Sequence, residues 1–162
     1  MAGRLRDLDP PRGGSCCNPR DHQGPETASL AGYRQRHAQY KSDADLQAAH
    51  AIAPWLVVWD DHEVDNNWAD EVPENKDANQ LNDTTERFRQ RRTAAFQAYY
   101  ENMPLRASSV LAGFDMKIYR TIQWGQLANF HMMDTRQYRD DQLAGATAQA
   151  PQSTRFRPGT RT

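Results

Sequence analysis

The run VVWDDHEVDNNWAD, residues 57–70, decides how the rest of the chain is read. It places Asp60, Asp61, His62, Glu63, Asp65, Asn66 and Asn67 within eight positions, directly behind the apolar segment WLVVW at 55–59. That segment is short, β-branched and apolar throughout, which predicts a strand covered on both faces. Layered α/β folds bind ligands where such strands empty into polar loops. Oxygen donors with one imidazole suit hard or borderline divalent metal ions. Carboxylates crowded this closely repel, and a bound cation would relieve them. The competing reading is a solvated acidic turn, with Asn and Asp chosen for backbone conformation. One motif is excluded. His62-Glu63 begins like the zinc-protease signature, but the second His that signature needs four residues on is Asn66 here.

Working outward, Leu30, Tyr33, His37 and Tyr40 recur at helical spacing and predict a helix ending near Lys41. Ser42 with Asp45 forms a weak capping box for a second helix, DADLQAAHAIA, which Pro54 stops. Residues 68–83 are acidic and Asn-rich and predict a loop. Asp83 with Glu86 is placed to cap a third helix, ERFRQRRTAAFQAYYEN, with Phe88, Ala95, Phe96, Tyr99 and Met103 near one face and Pro104 beyond its end. Its arginines, Arg87, Arg89, Arg91 and Arg92, could meet nucleic-acid phosphates; a solvated helix face is the stronger expectation. Residues 114–122 alternate as a strand, Gly125 turns the chain, and LANFHMM forms a second strand. A polar loop at 134–139 follows. Within it Arg136 could fork onto a phosphate and Asp134 could orient a ligand; the spacing fits a plain salt-bridged loop equally well. His131, inside an apolar strand, is expected to be a core histidine, and the sequence names no partner for His22, His37 or His50.

The whole chain has 162 residues, 20 Lys+Arg against 21 Asp+Glu and a net charge of -1. That length suits about one domain of roughly 100–200 residues. The charge balance argues against bulk electrostatic binding to nucleic acid. No apolar run of ~18 residues is present, so no membrane span is expected, and Arg4 and Arg6 precede no apolar stretch of a secretory signal. Cys16 and Cys17 are adjacent, which suits neither a disulfide framework nor a metal knuckle. Leu, Ile, Val and Phe supply only 23 residues, about 14% of the chain and below the ~20% that separates most globular chains from disordered ones. Residues 1–24 and 143–162 read as irregular segments, leaving 25–142 as the organised part.

Four ordered segments carry a family resemblance. WDDHEVDNNWA at 59–69 resembles the signature of the alkaline phosphatase D (PhoD-like) family, a branch of the calcineurin-like metallophosphoesterases. SLAGYRQRHAQYKSDADLQAAHA at 29–51, RRTAAFQAYYENMP at 91–104 and MDTRQYRDDQ at 133–142 resemble its flanking stretches in the same order. The resemblance implies a fragment of a layered α/β metallophosphoesterase fold, with helices and a few strands. It implies metal ions, typically iron and calcium, and phosphate mono- or diester substrates, with nucleic acid entering only as a diester substrate. Family members are usually exported. By the same resemblance Asp60, Asp61, Asn66 and Asn67 are expected metal ligands, His62 contacts the leaving group and Arg136 joins it in catalysis, with Asp134 as support. Imidazole, which ordinarily titrates near ~6.5, suits proton donation to a departing oxygen. The family's earlier Asp/Tyr metal motif has no match upstream of residue 24, and its later Gly-Asp-x-His motif has none beyond 142. An internal fragment carrying the middle of an active site is therefore expected, inactive or weakly active alone. The alternative expectation is a non-catalytic remnant that binds a metal or a partner.

Overall fold

The computed structural model describes residues 22–73 and 84–141. Most of both expected irregular ends, Cys16 and Cys17, the Asp83 cap and residues 74–83 of the acidic loop lie outside them. The described chain is mixed helix and strand: α1 (Leu30–Lys41), α2 (Ala44–Ile52), α3 (Thr85–Asn102), a 3-10 turn (Ala107–Ser109), β1 (Leu111–Ala112), β2 (Asp115–Met116), β3 (Arg120–Trp124) and β4 (Ala128–Met132). No described helix is long and apolar enough to cross a membrane.

The three helices stand where their apolar spacing predicts, but their caps differ. Ser29 opens α1 by accepting from the Gly32 N–H. Asp43, not Ser42, caps α2 through the Leu46 N–H at 2.8 Å. Ser42 instead closes α1, its N–H donating to Ala38 O and its hydroxyl to Gln39 O. Thr84 caps α3 by accepting from the Arg87 N–H at 3.1 Å. Each short polar side chain satisfies an end group that has no intrahelical partner.

The core lies where α3 packs on α1 and on the segment leading into the acidic loop. Trp59 stacks on Phe96 with centroids 4.4 Å apart and meets Tyr99 edge-on. Trp68 packs against Phe88 and Phe96, and Tyr33, Val64, Met116 and Ile118 complete the cluster. Phe88, Ala95, Phe96 and Tyr99 are buried as their spacing predicts, while Met103 only flanks the core.

The strands depart further from expectation. Residues 54–60 join no ladder among the described residues. Val57 and Trp59 are buried, whereas Leu56 is 43% and Val58 37% exposed. The described part of the chain covers one face of this segment, not two, and an Arg120 side chain donates to Val57 O at 2.9 Å. The expected strand over 114–122 is broken in two. β1 and β2 form one antiparallel ribbon and β3 and β4 another. The β3–β4 turn starts at Gly125, whose φ of +54° is free of the clash a Cβ would cause. His131 corrects its expectation, because it is exposed on β4 and pairs its Nδ1 with the Thr121 hydroxyl at 3.1 Å. The other histidines do have partners: His22 bonds Tyr40, His37 meets the Tyr99 ring and His50 stacks on Trp55.

Two stability outcomes follow from this packing. Phe96→Ala should remove about 3–5 kcal/mol, read by urea denaturation with tryptophan fluorescence, while Phe130→Ala on the exposed hairpin should cost less than about 1 kcal/mol. Burial, with Lys41 adding to it, lowers the His37 pKa from 6.5 to about 4. The folded state thus disfavours protonation, so this contribution is intact above pH 6.5 and is lost as pH falls from 6.5 toward 4. The drop in denaturation midpoint over that window should shrink in His37→Gln; an unchanged drop would exclude this assignment.

Candidate functional site

Residues 60–67 form a tight polar turn immediately behind Trp59. Asp61 organises it. One carboxylate oxygen accepts from the His62 N–H at 2.9 Å and the other from the Asn67 N–H at 2.8 Å. Burial pushes the Asp61 carboxyl up, but the Asn67 N–H, Arg136 and His62 outweigh it and hold the group below the ordinary carboxylate range. The His62 ring lies beside it, Nε2 at 3.9 Å from Asp61 Oδ1. Glu63 turns back to accept from the Asp60 N–H at 3.0 Å. Asn67 and Asp70 adopt φ near +51° and +50°, a left-handed backbone in which Asn and Asp are enriched. The backbone role of these residues is therefore real, whatever else they do.

The 134–139 loop meets this turn. Arg136 donates to Asp60 Oδ1 from Nε at 2.9 Å and from Nη2 at 2.6 Å, and its Nη2 stands 3.5 Å from Asp61 Oδ2. Arg139 donates to Asn67 Oδ1 at 3.2 Å, and the Asp70 N–H donates to Arg136 O at 2.9 Å. Burial, then repulsion from Arg136, lowers the Arg139 pKa. The guanidinium expected to face a phosphate thus engages a carboxylate of the first loop. Asp134 is buried and ties the two loops to the core. Its Oδ1 accepts from the Trp59 indole at 3.2 Å and from the backbone N–H groups of Arg136 and Gln137.

Two arginines of α3 overturn the expectation of a solvated cationic face. Arg91 is 1% and Arg92 0% exposed. Arg91 pairs with Asp65 at 3.2 Å and with Glu26 at 2.9 Å, and donates from Nε to the Tyr33 hydroxyl at 3.0 Å. Tyr33 in turn donates to Val64 O at 2.6 Å, inside the acidic turn. Arg92 reaches Asp70 O at 2.7 Å and Asp115 Oδ1 at 2.8 Å. Arg89 pairs with Glu71 at 2.7 Å. Sequence reading assigned these roles to none of Arg91, Arg92, Tyr33 and Gln137. The last uses its side-chain amide to bond Met116 through both N–H and C=O. The spacing of Tyr33 on the buried face of α1 was visible; the inward turn of two arginines carried no periodic signal.

These pairings bear on metal binding. The carboxylates expected to stand unpaired are instead matched by arginines: Asp60 by Arg136, Asp65 by Arg91 and Asp70 by Arg92. Among the described residues no group of three or more His, Cys, Asp and Glu side chains is placed to hold a metal ion. The donor set of residues 60–67 therefore does not complete a metal centre by itself.

The sequence profile of PhoD-like phosphatases matches residues 13–161. Alkaline phosphatase D of Bacillus subtilis (strain 168) is 55% identical over 125 residues, which are 77% of this chain and 20% of that protein. A solved structure of PhoD superimposes with a TM-score of 0.70 at 55% identity, covering 76% of this chain and 22% of the other. The chain thus spans about a fifth of the length of the curated relative it matches.

The Arg91 network makes a direct forecast. Arg91→Met leaves the buried Asp65 carboxylate without its guanidinium and should cost about 3–5 kcal/mol. Adding Asp65→Leu removes the stranded charge, so the double variant should be less destabilised than the sum of the two singles. Additive losses in urea denaturation would show that the pair is not coupled.

Proposed function

Because the chain belongs to the PhoD-like phosphatase family, we propose that it supplies the central active-site segment of a metal-dependent phosphoester hydrolase. One observation carries this reading: two polar loops far apart in sequence meet beside His62 through the Arg136–Asp60 fork. A hydrolase needs a proton donor next to anionic and amide oxygens, and the approach of residues 134–139 to residues 60–67 supports that role for His62.

In this reading His62 donates a proton to the departing oxygen of a phosphate mono- or diester. Its ring Nε2 lies 3.9 Å from Asp61 Oδ1, beside the carboxylate that organises the turn. Arg136 acts as a positioning residue, since its fork fixes Asp60 and its neighbour Asn67 lies within the same polar turn. Asp60, Asp61, Asn66 and Asn67 are this chain's contribution to the metal donors, with iron and calcium as the ions the family resemblance suggests. Further donors would have to come from beyond the described residues. A layered α/β sheet would likewise use the exposed edge of residues 55–59. A second reading is a non-catalytic remnant acting at most as a metal- or partner-binding module; the lack of a three-donor group among the described residues speaks for it against catalysis by this chain alone. Calorimetry tests the donor assignment: calcium or ferric binding lost in Asp61→Ala supports residual metal binding, and no binding favours an inert remnant. The buried Arg91 and Arg92 remove the basis for a nucleic-acid-binding face on α3.

The decisive experiment grafts this chain's matching segment into the Bacillus subtilis alkaline phosphatase D in place of its own. The chimaera should hydrolyse a chromogenic phosphate ester, and His62→Ala within the graft should lower kcat by about 10²–10⁴-fold. A folded chimaera indifferent to His62→Ala would overturn the proposal. The 162-residue chain alone should show little or no turnover with iron and calcium added.

A further inference from the structure

The β3–β4 ribbon and the 3-10 turn at Ala107–Ser109 border an open pocket of about 510 Å³. Lys117, Arg120, His131, Ser108, Ser109 and Tyr119 line it, and no carboxylate does. Arg120 is half-buried and donates to Ile118 O at 2.8 Å and Val57 O at 2.9 Å. A guanidinium has five N–H donors, so these two carbonyls leave donors over, and neither carries a counter-charge. Burial and the nearby Arg106, against the opposing pull of Tyr99, hold its pKa below the ordinary value. The Lys117 ammonium rests over the Tyr119 ring at 5.2 Å. Among the described residues neither cation forms an ion pair with a carboxylate. His131 engages Thr121 through Nδ1, which leaves Nε2 for another partner.

Among the described residues Arg120 forms no ion pair with a carboxylate, whereas the buried Arg91, Arg92 and Arg136 are all matched by carboxylates. We propose that this pocket binds an oxyanion of the phosphate class, with Lys117 and Arg120 supplying the charge and Ser108, Ser109 and His131 the further hydrogen bonds. Guanidinium and ammonium donors are the usual partners of phosphate oxygens. A metal cation would find no negative ligand here among the described residues. The pocket wall is continuous with the acidic turn through the Arg120 bond to Val57 O, three residues before Asp60. Binding here requires no turnover, so it stands or falls separately from the hydrolase reading.

The test is a titration of the full 162-residue chain with inorganic phosphate at constant ionic strength, followed by amide chemical shifts. Saturable shifts should appear at Ser108, Lys117, Thr121 and His131 and be absent when chloride replaces phosphate. Lys117→Gln with His131→Gln, both at exposed positions, should weaken binding about tenfold or more. A parallel titration with glycerol phosphate tells an ester ligand from the free ion by which binds more tightly. Shifts equal in chloride, or an affinity unchanged in the double variant, would overturn the site. The wild-type comparison of phosphate with chloride keeps the question decidable even if the double variant fails to fold.

Discussion

A buried charge must find its counter-charge, and two consecutive arginines on α3 organise this molecule by that requirement. Successive helical positions point roughly 100° apart, so Arg91 and Arg92 leave the same helix in different directions. Arg91 reaches Asp65, in the middle of the acidic turn, and Glu26 ahead of α1. Arg92 reaches Asp70, at the turn's far end, and Asp115 on β2. The 60–70 segment is therefore held at two points by one helix. Without those contacts the buried Asp65 carboxylate would lose its guanidinium partner.

Such pairs add little to stability compared with apolar side chains of equal size, because both charges lose water. Their effect here is on placement. Wrong seating of α3 would strand an arginine in the core, so only one register of helix against loop is tolerated. Asp134 applies the same logic to the second loop. Its single carboxylate holds the Trp59 indole and two backbone N–H groups. That couples the loop at 134–139 to the residue that stacks on Phe96. Polar contacts thus tie the candidate site to the aromatic core.

How much of this was legible depended on the range of the signal. Helices α1, α2 and α3 show in apolar spacing and in Pro54 and Pro104, because helical periodicity and chain breakers are local. The β3–β4 ribbon shows around Gly125 for the same reason. The segment 55–59 was legible as apolar but not as one-sided, since its burial depends on which parts of the chain lie against it. Asp43 replaced the expected Ser42 cap because a run of short polar residues offers several candidates, and only backbone geometry selects among them. His131 looked like core because its neighbours are apolar, yet an antiparallel ribbon with little packed on it leaves most of those neighbours exposed.

The sequence by itself determined the helices, the polar turn behind Trp59 and the family membership, all of which rest on local pattern or ordered motifs. It also brought His62, Asp61 and Arg136 forward as chemically capable residues. Only the tertiary structure decided what those groups face. Arg136 turns to Asp60, the acidic turn is neutralised by arginines, and Arg91 and Arg92 point inward. Pairing of charges is a long-range choice among many possible partners of equal composition. It is settled when α3 packs on α1 and the loops close over it, and no short window of residues contains that information.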